Sequence, residues 1–301
     1  MSLFNNKNNK KFARVCLRVS EEGTSIAVSE HDGNKLQLQL CEFFSALTLA
    51  EQPALISEFI AKHHLASAHC SLILASSEYQ LLLTEAPEVP SHEMCDALWW
   101  KVKDLVAFEI ENAQIDYLDL PEDSAMHQAR KIYAVIADRN KVKAKIEWAE
   151  KLGLTPTTIE VPETALLHLV ADLCSDVVGT SVLYLDPEQS MLMLMSERKM
   201  YLSRTLQYNY QERMEAVVLD LQRSMDYYES QIGKPACLKV IILPQQSAES
   251  SMMQTLLTNI DIAVTTVNIN NLIDSDLSFE MQQHCLLAIS GALRVDKKAK
   301  K

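Results

Sequence analysis

Residues 181–206 contain the clearest candidate for chemistry in this sequence. The stretch reads SVLYLDPEQSMLMLMSERKMYLSRTL, a pattern that predicts two strands joined by a tight turn, with Asp186 at the tip of the first strand. Folds that grip a nucleotide phosphate often place an aspartate and one or two glycines at such a tip, so that bare backbone can approach the anion. The tip here is Asp-Pro-Glu-Gln, residues 186–189. It therefore has the carboxylate of a phosphate-binding turn but not the glycines.

Other candidate catalytic or metal sites are weaker. The chain contains none of the motifs G-x-S-x-G, H-E-x-x-H and G-x-x-x-x-G-K-[ST], which indicate a serine hydrolase, a zinc peptidase and a P-loop. The nearest approach to a metal site is the group His63, His64, His69 and Cys70, whose spacings match no zinc pattern. We expect these residues to form a helix end followed by a strand, and we expect no metal site.

Cysteine usage and hydropathy predict the compartment. The seven cysteines are widely scattered, form no C-x-x-C pair and often stand inside apolar runs such as VCLRV and CLLAI. They are expected to be small core residues in a reducing compartment. No apolar run approaches the roughly 18 residues of a membrane span, and the start of the chain lacks the apolar segment of a signal peptide. These features predict a cytoplasmic protein.

Charge is unevenly distributed along the 301 residues. The whole chain has a formal net charge of -12, and its 48% hydrophobic content is enough for a substantial core. Residues 1–14 and 294–301 hold nine basic side chains and one acidic one, so 15–293 hold the other 19 basic and 39 acidic residues, a net charge of -20. Nucleic-acid binding needs clustered Lys and Arg, which this acidic body does not offer.

Strand and helix patterns alternate along both halves of the chain. Each half begins with strands, including a hairpin that turns at residues 21–23, and continues with helix and strand in turn. Ser91 is predicted to cap a long helix whose apolar positions continue to Val106, and a later helix is predicted to stop at Gly153. The strongest helical stripe has six apolar positions: Met214, Val217, Val218, Leu221, Met225 and Tyr228. This order predicts an α/β fold with two related lobes.

Methionines recur at every second position from Met191 through Met193 to Met195, with leucines between them. Such a ladder allows a flexible binding surface, because methionine adapts to many partners. The alternative is a strand that is covered on both faces. We favour the covered strand.

Three segments carry a family resemblance. They read EMCDALWWKVKDLVAFEIENAQIDYLDL at 93–120, IYAVIADRNKVKAKIEWAEKLGLTPTTIEVPETALLHL at 132–169 and ERMEAVVLDLQRSMDYYESQIG at 212–233, with LQRSMDYYES as the sharpest part. In this order they resemble the PilM group of actin-like proteins in type IV pilus assembly. The chain is most similar to the MshI branch, which serves mannose-sensitive haemagglutinin (MSHA) pili. The resemblance extends from about residue 10 to residue 293.

The resemblance implies an α/β fold of the actin-like (ribonuclease H-like) type, with two lobes and an inserted α+β subdomain in the first lobe. The implied segments are a flexible basic N-terminus (1–12), a first lobe (13–178) with the insertion at about 78–155, a second lobe with a closing helix (179–293) and a flexible basic tail (294–301). The implied function is a cytoplasmic scaffold, peripheral to the inner membrane, in a pilus motor platform. Its partner is a bitopic inner-membrane protein of the PilN type, held by its short cytoplasmic tail.

Actin-like ATPases hold ATP between the lobes with two phosphate-clasping turns and a glycine-rich turn beneath the adenosine. In the first turn, Arg18 and Ser20 stand near the expected Asp and Gly; in the second, Asp186 is shifted along and followed by a proline, which has no N–H. In the third, Pro244 and Gln245 occupy a place usually rich in glycine. The chain has six glycines, about 2% against a usual 7%. We expect a degenerate site without catalysis, ATP or Mg2+; an active or residual ATPase is the alternative.

Trp100 is the candidate partner-binding residue. In the helix after Pro90, the apolar stripe centres on Leu98, and Trp100 lies about 200° round from it, among charged residues. A tryptophan on a polar helix face forms either a second packing surface or an interaction anchor. The sequence leaves both interpretations open.

The two basic ends predict a weak contact with the membrane. The resemblance places the first strand and the last helix in one lobe, so that Lys10 and Lys11 lie near the point where Lys297 and Lys298 emerge. Each such charge contributes about 1 kcal/mol at an anionic leaflet, screened by salt. We expect the intact chain to pellet with anionic liposomes at low salt but not at high salt, and a chain trimmed to 13–294 to stay in solution. Equal pelleting at low salt would show that the ends are merely solubilising tails.

Overall fold

The computed structural model describes residues 13–32, 35–46, 52–106, 108–121, 130–188 and 190–294. The strands of these residues are β1 (Ala13–Val19), β2 (Gly23–Asp32), β3 (Lys35–Ser45), β4 (His69–Ile73), β5 (Tyr79–Glu85), β6 (Ala113–Asp119), β7 (Lys131–Asp138), β8 (Thr155–Glu160), β9 (Gly179–Tyr184), β10 (Met191–Ser196), β11 (Lys199–Thr205), β12 (Cys237–Leu243) and β13 (Ala263–Thr266). The α-helices are α1 (Gln52–Lys62), α2 (Met94–Val102), α3 (Arg139–Lys151), α4 (Pro162–Val170), α5 (Met214–Ser230), α6 (Ser251–Asn259) and α7 (Phe279–Ala292).

Two five-stranded sheets have the same topology. The first sheet has the strand order β3-β2-β1-β4-β8, and the second has the order β11-β10-β9-β12-β13. In each sheet the first three strands form an antiparallel meander, and the last two run parallel to the first strand in sequence. The chain therefore contains the same unit twice, which confirms the prediction of an α/β fold with two related lobes.

A third sheet, with the order β5-β7-β6, is inserted in the chain between β4 and β8 of the first sheet. Helix α2 covers one face of it through Met94, Leu98 and Val102, which are buried against the sheet. The sequence predicted a longer helix that begins at Ser91 and continues to Val106. The residues before Met94 instead form a 3-10 turn, and Val106 reaches the same apolar cluster after the helix has ended at Val102.

Helices α4 and α7 form a buried layer between the two large sheets. Their apolar side chains share one cluster with Cys16 and Ile73 of the first sheet and with Val182 and Met193 of the second. At Gly291, α7 approaches β1 so closely that an added Cβ would lie 2.5 Å from the Cys16 sulfur. The outer face of the first sheet packs against α1 and α3, and that of the second packs against α5 and α6.

The methionine ladder is a strand covered on both faces, as the sequence predicted. Every residue of β10 is buried. Met191, Met193 and Met195 face the α4 and α7 layer, whereas Leu192 packs on the side of α5 and α6. Alternate side chains of one strand therefore complete two different cores.

Stretch 181–206 contains three strands, not the two predicted. The second strand, β10, ends at Ser196, and the third follows after Glu197 and Arg198. These two residues turn the chain with φ angles of 51° and 64°. The turn was missed because positive φ at two successive positions usually calls for Gly, Asn or Asp, and neither residue belongs to that set.

Several local signals of the sequence are confirmed. The hairpin turn closes where expected, with the Ser20 and Gly23 backbones bonded to each other. Helix α3 ends at Lys151 and is stopped, as predicted, by Gly153, which has a φ of 86°, and Leu154 N–H reaches back to the Ala149 carbonyl. All seven cysteines are free thiols.

No helix among the described residues has both the length and the apolar character needed to cross a bilayer. The exact segment boundaries of the two lobes stay predictions.

The stripe of α5 generates a stability prediction. Leu221 is buried and Leu219, on the same helix, is 44% exposed. We expect Leu221→Asp to lower the free energy of unfolding by about 3–5 kcal/mol, because it buries an unpaired carboxylate and removes core packing. The matched change Leu219→Asp should cost within about 1 kcal/mol. Urea unfolding of both variants measures this; similar losses would show that the wrong face of α5 was assigned to the core.

Candidate functional site

The cleft between the lobes lies at equivalent ends of the two large sheets. Arg18 is near the carboxyl end of β1, and Asp186 follows the carboxyl end of β9. Cys16 and Tyr184 belong to the shared core. Side chains two residues apart in an extended chain lie on the same face, and Arg18 and Asp186 are each two residues beyond these core residues. Arg18 and Asp186 therefore both project into the space between the lobes.

Arg18 and Asp186 form an ion pair across this cleft. The Arg18 Nη2 donates to Asp186 Oδ2 at 2.8 Å, and the side chains are only 13% and 8% exposed. Burial lowers the pKa of the Arg18 guanidinium, but Tyr184 and the carboxylates of Asp186 and Glu188 outweigh that effect, and the pKa is raised above its ordinary value. The guanidinium therefore stays charged, and the pair is a charge-assisted hydrogen bond in a largely water-free place.

Both carboxylate oxygens of Asp186 have protein partners. The Tyr184 hydroxyl donates to Oδ2 at 2.8 Å, and the Glu188 backbone N–H donates to Oδ1 at 2.9 Å. Burial and, to a smaller extent, the Asp186 carboxylate raise the pKa of Tyr184 well above its ordinary value, so the hydroxyl remains a donor. Asp186 thus closes the β9–β10 turn from within and needs no glycine to do so.

A second bond joins the two turns. Glu188 of the β9–β10 turn accepts, through Oε1, a hydrogen bond from the backbone N–H of Glu21 in the β1–β2 turn. Burial raises the pKa of Glu188, against the opposing effect of this bond. The Glu21 N–H is the kind of backbone donor that a phosphate-binding turn offers to its anion. Here it is occupied by a side chain of the other lobe.

The remaining predicted loop residues lie around this cross-link. Ser20 donates its hydroxyl to the Gly23 carbonyl at 3.1 Å and so belongs to the closure of its own turn. Pro244 follows β12, whose last residue pairs with Tyr184, so it lies at the same edge of the second sheet as Asp186. The Gln245 carbonyl accepts a bond of 2.7 Å from Gln283 of α7. The third loop is therefore tied to the central helix layer.

Sequence reasoning missed two residues at the cleft, Glu163 and Tyr79. Glu163 is fully buried in the first turn of α4, where its Oε2 accepts a 2.8 Å bond from the Tyr79 hydroxyl. Burial raises its pKa, against the effect of that bond. Together with Arg18 and Tyr184 they line a cavity of about 20 Å³, which has room for about one water molecule. In sequence, Glu163 looks like an ordinary acidic residue after the helix-starting proline, so no local signal marks it.

A larger cavity adjoins the first-lobe turn. It measures about 690 Å³ and is lined by Ser20 and Glu21 on one side and by Lys141, Lys145 and Trp148 of α3 on the other. Lys145 is engaged in an ion pair of 2.6 Å with Glu78. The space opens beside the Arg18 and Asp186 pair rather than at it.

The other predicted contact residues do not join the cleft. Trp100 is 66% exposed on α2, where its ring meets Trp99 edge to face at 4.8 Å and Lys103 at 5.2 Å. Lys10, Lys11, Lys297 and Lys298 lie outside the described residues. Within the described ranges, no three His, Cys, Asp or Glu side chains gather into a possible metal site. The predicted membrane and partner contacts stay predictions.

Comparison with known proteins identifies the fold. The chain is similar to a solved "PilM-PilN type IV pilus biogenesis complex", with a TM-score of 0.72, 17% identity, and coverage of 93% of this chain and 97% of that one. It is also similar to a Bacteroides thetaiotaomicron protein with an actin-like ATPase fold and unknown function, with a TM-score of 0.56, 12% identity and coverage of 92% and 96%. No family model and no curated protein matches the sequence.

These likenesses, together with the duplicated sheets and the cleft between them, define a two-lobed protein of actin-like fold. The inserted sheet and α2 add an α+β subdomain to the first lobe. The fold class that the sequence predicted is therefore confirmed.

The cross-link predicts a characteristic mutational pattern. Arg18→Met removes the guanidinium that neutralises the buried Asp186 carboxylate and should lower the free energy of unfolding by about 3 kcal/mol. Adding Asp186→Asn removes that charge while keeping an acceptor, so the double variant should recover most of the loss. The matched change Arg198→Met breaks an exposed pair with Asp172 and should cost less than about 1 kcal/mol. Chemical unfolding of the unaltered protein, of Arg18→Met, of Asp186→Asn, of the double variant and of Arg198→Met tests this; strictly additive losses at Arg18 and Asp186 would contradict the pairing.

Proposed function

We propose that this protein is a PilM-like scaffold of a type IV pilus assembly machine, of the branch that serves MSHA pili. In this role it captures the cytoplasmic tail of a PilN-type inner-membrane protein and works in the cytoplasm, peripheral to the inner membrane. The fold likeness to PilM in its complex with PilN supports this role. So do the family segments at 93–120, 132–169 and 212–233.

The observation that carries the scaffold role is the ion pair of Arg18 with Asp186. An actin-like ATPase must place phosphates and a metal ion between the two turns, and here a guanidinium of one lobe already neutralises the carboxylate of the other. The adjoining cavity of about 20 Å³ is far below the roughly 300 Å³ of small-molecule sites. The lobes are thus joined by their own side chains, and the nucleotide site is degenerate.

An active or residual ATPase is the second candidate. Two buried carboxylates, Asp186 and Glu163, stand at the cleft, and the cavity of about 690 Å³ beside Ser20 offers space nearby. For this function Arg18 has to leave Asp186 and expose the carboxylate to a metal ion. That movement breaks a largely buried pair, which disfavours it.

Calorimetry separates these two functions. We expect titration of the intact protein with ATP and Mg2+ to give no binding heat, because the two turns are already bonded to each other. The control is the Arg18→Met, Asp186→Asn protein, in which the ion pair between the lobes is removed without leaving a buried charge. Micromolar ATP binding by the unaltered chain would overturn the degenerate site and favour the second candidate.

The proposed partner is tested by capturing it from solubilised membranes. Tagged intact protein should capture one single-span inner-membrane protein from detergent-solubilised membranes of cells that make the pilus. Deleting the cytoplasmic tail of that protein should abolish capture, while deleting its periplasmic part should leave it unchanged. Capture that survives loss of the tail, or no capture of such a protein, would contradict the scaffold role.

A further inference from the structure

The end of the molecule opposite the cleft, which we call the base, gathers the starts of the central strands. The cleft lies beyond the carboxyl ends of β1 and β9, so the amino ends of these strands, at Ala13 and Gly179, lie at the base. Strands β4 and β8 run parallel to β1, and β12 runs parallel to β9, so these strands start there as well. Both lobes therefore contribute to one surface on that side.

The second lobe exposes apolar side chains at the base. Val177 and Val178 come immediately before β9 and are 62% and 37% exposed, and Leu238 near the start of β12 is 58% exposed. Cys237 pairs with Gly179, the residue after Val178, and the register then shifts, so that Leu238 has no partner on β9. Val177, Val178 and Leu238 are therefore neighbours, and together they form an apolar edge.

Basic side chains lie beside this apolar edge. The Ser196 hydroxyl donates to the Val177 carbonyl at 2.9 Å, which places the turn between β10 and β11 next to the edge. Arg198 and Lys199 of that turn are exposed. The acidic side chains of the same region are Asp172, which pairs with Arg198 at 3.0 Å, Asp176 and Glu197.

The first lobe adds cations to the base. Lys62 is the last residue of α1 and Lys151 is the last residue of α3, and both are exposed. The Ser67 N–H donates to the Gly153 carbonyl at 2.7 Å and so joins the two helix ends just before β4 and β8 begin. Two exposed lysines therefore stand beside the strand starts of the first sheet.

The described chain also begins and ends at the base. Arg14 Nη1 donates to the Arg294 carbonyl at 2.6 Å, so the two ends are in contact. Residues 1–12 and 295–301, which continue from these two points, hold seven lysines and one aspartate, whereas 15–293 have a net charge of -20. The positive charge of the chain is thus attached to the same end as the apolar edge.

We propose that the base is the face with which this protein contacts an anionic membrane surface, with the apolar edge entering the headgroup region. This inference rests on the proposed location beside the inner membrane and adds the side of the protein that faces the lipid. Basic side chains give a salt-dependent attraction to anionic lipid, and apolar side chains add burial that salt does not screen. The acidic remainder of the body then points away from the like-charged leaflet, and the cleft faces the cytoplasm.

The test measures how the intact protein binds vesicles of phosphatidylethanolamine with phosphatidylglycerol as the anionic lipid. Leu238→Asp and Val177→Asp each place a carboxylate on the apolar edge, and thermal melting should stay close to that of the unaltered protein because both positions are exposed. Each change should weaken vesicle binding roughly fivefold or more, since it removes an apolar contact and adds a repelled charge. Leu219→Asp, at a residue that is 44% exposed on α5, is the matched control and should bind normally.

A fluorescence measurement avoids any dependence on charge substitution. An environment-sensitive fluorescent amino acid at position 238 should shift its emission to shorter wavelength when the anionic vesicles are added, and the same group at position 219 should not. Normal vesicle binding by Leu238→Asp and Val177→Asp, together with no shift at 238, overturns the membrane face. So does a lack of vesicle binding by the unaltered chain at low salt.

Two other outcomes are separated from these. If Leu238→Asp breaks a dimer of the unaltered protein in light scattering and leaves vesicle binding unchanged, the apolar edge joins two copies of the chain and the membrane face is overturned. Capture of the single-span protein from detergent-solubilised membranes needs no lipid surface, so Leu238→Asp should capture it normally. Failure of the unaltered chain to capture it would contradict the scaffold role, whereas the vesicle measurements alone decide the membrane face.

Discussion

Two β-sheets bury their inner faces against the same pair of helices, and this shared layer constrains the rest of the molecule. Helices α4 and α7 have no other place for their apolar side chains, so each sheet must turn the same face toward them. Because both sheets have the same strand order, their central strands end at the same side of that layer. The two turns that follow these strands are thereby brought face to face.

The ion pair of Arg18 and Asp186 is a consequence of this arrangement. Arg18 and Asp186 lie two residues after the core residues Cys16 and Tyr184, on the side that faces the helix layer. Because both positions are buried, a lone charge at either one would be costly. Each charge therefore requires the other. The Glu188 bond to the Glu21 N–H adds a second link between the lobes.

The β9–β10 turn reaches the cleft without a glycine. It is closed by the Asp186 carboxylate, which accepts a bond from the Glu188 N–H. Bulkier turns bring side chains into the space where bare backbone would meet an anion. The groove between β5 and β11 and the exposed Trp100 both lie outside the cleft that those side chains close.

The sequence by itself determined the two related α/β lobes, the covered methionine strand, the helix end at Gly153 and the unusual composition of the three loops. These follow from local periodicity and from residue types at turns, which act over a few positions. The length of α2 and the burial of Glu163 were decided by tertiary structure, since each depends on packing against a distant element. The third strand within 179–205 was missed because its turn has positive φ at Glu197 and Arg198 without glycine. The sequence marked Arg18 and Asp186 separately, but 168 positions divide them, and only the shared helix layer makes them partners.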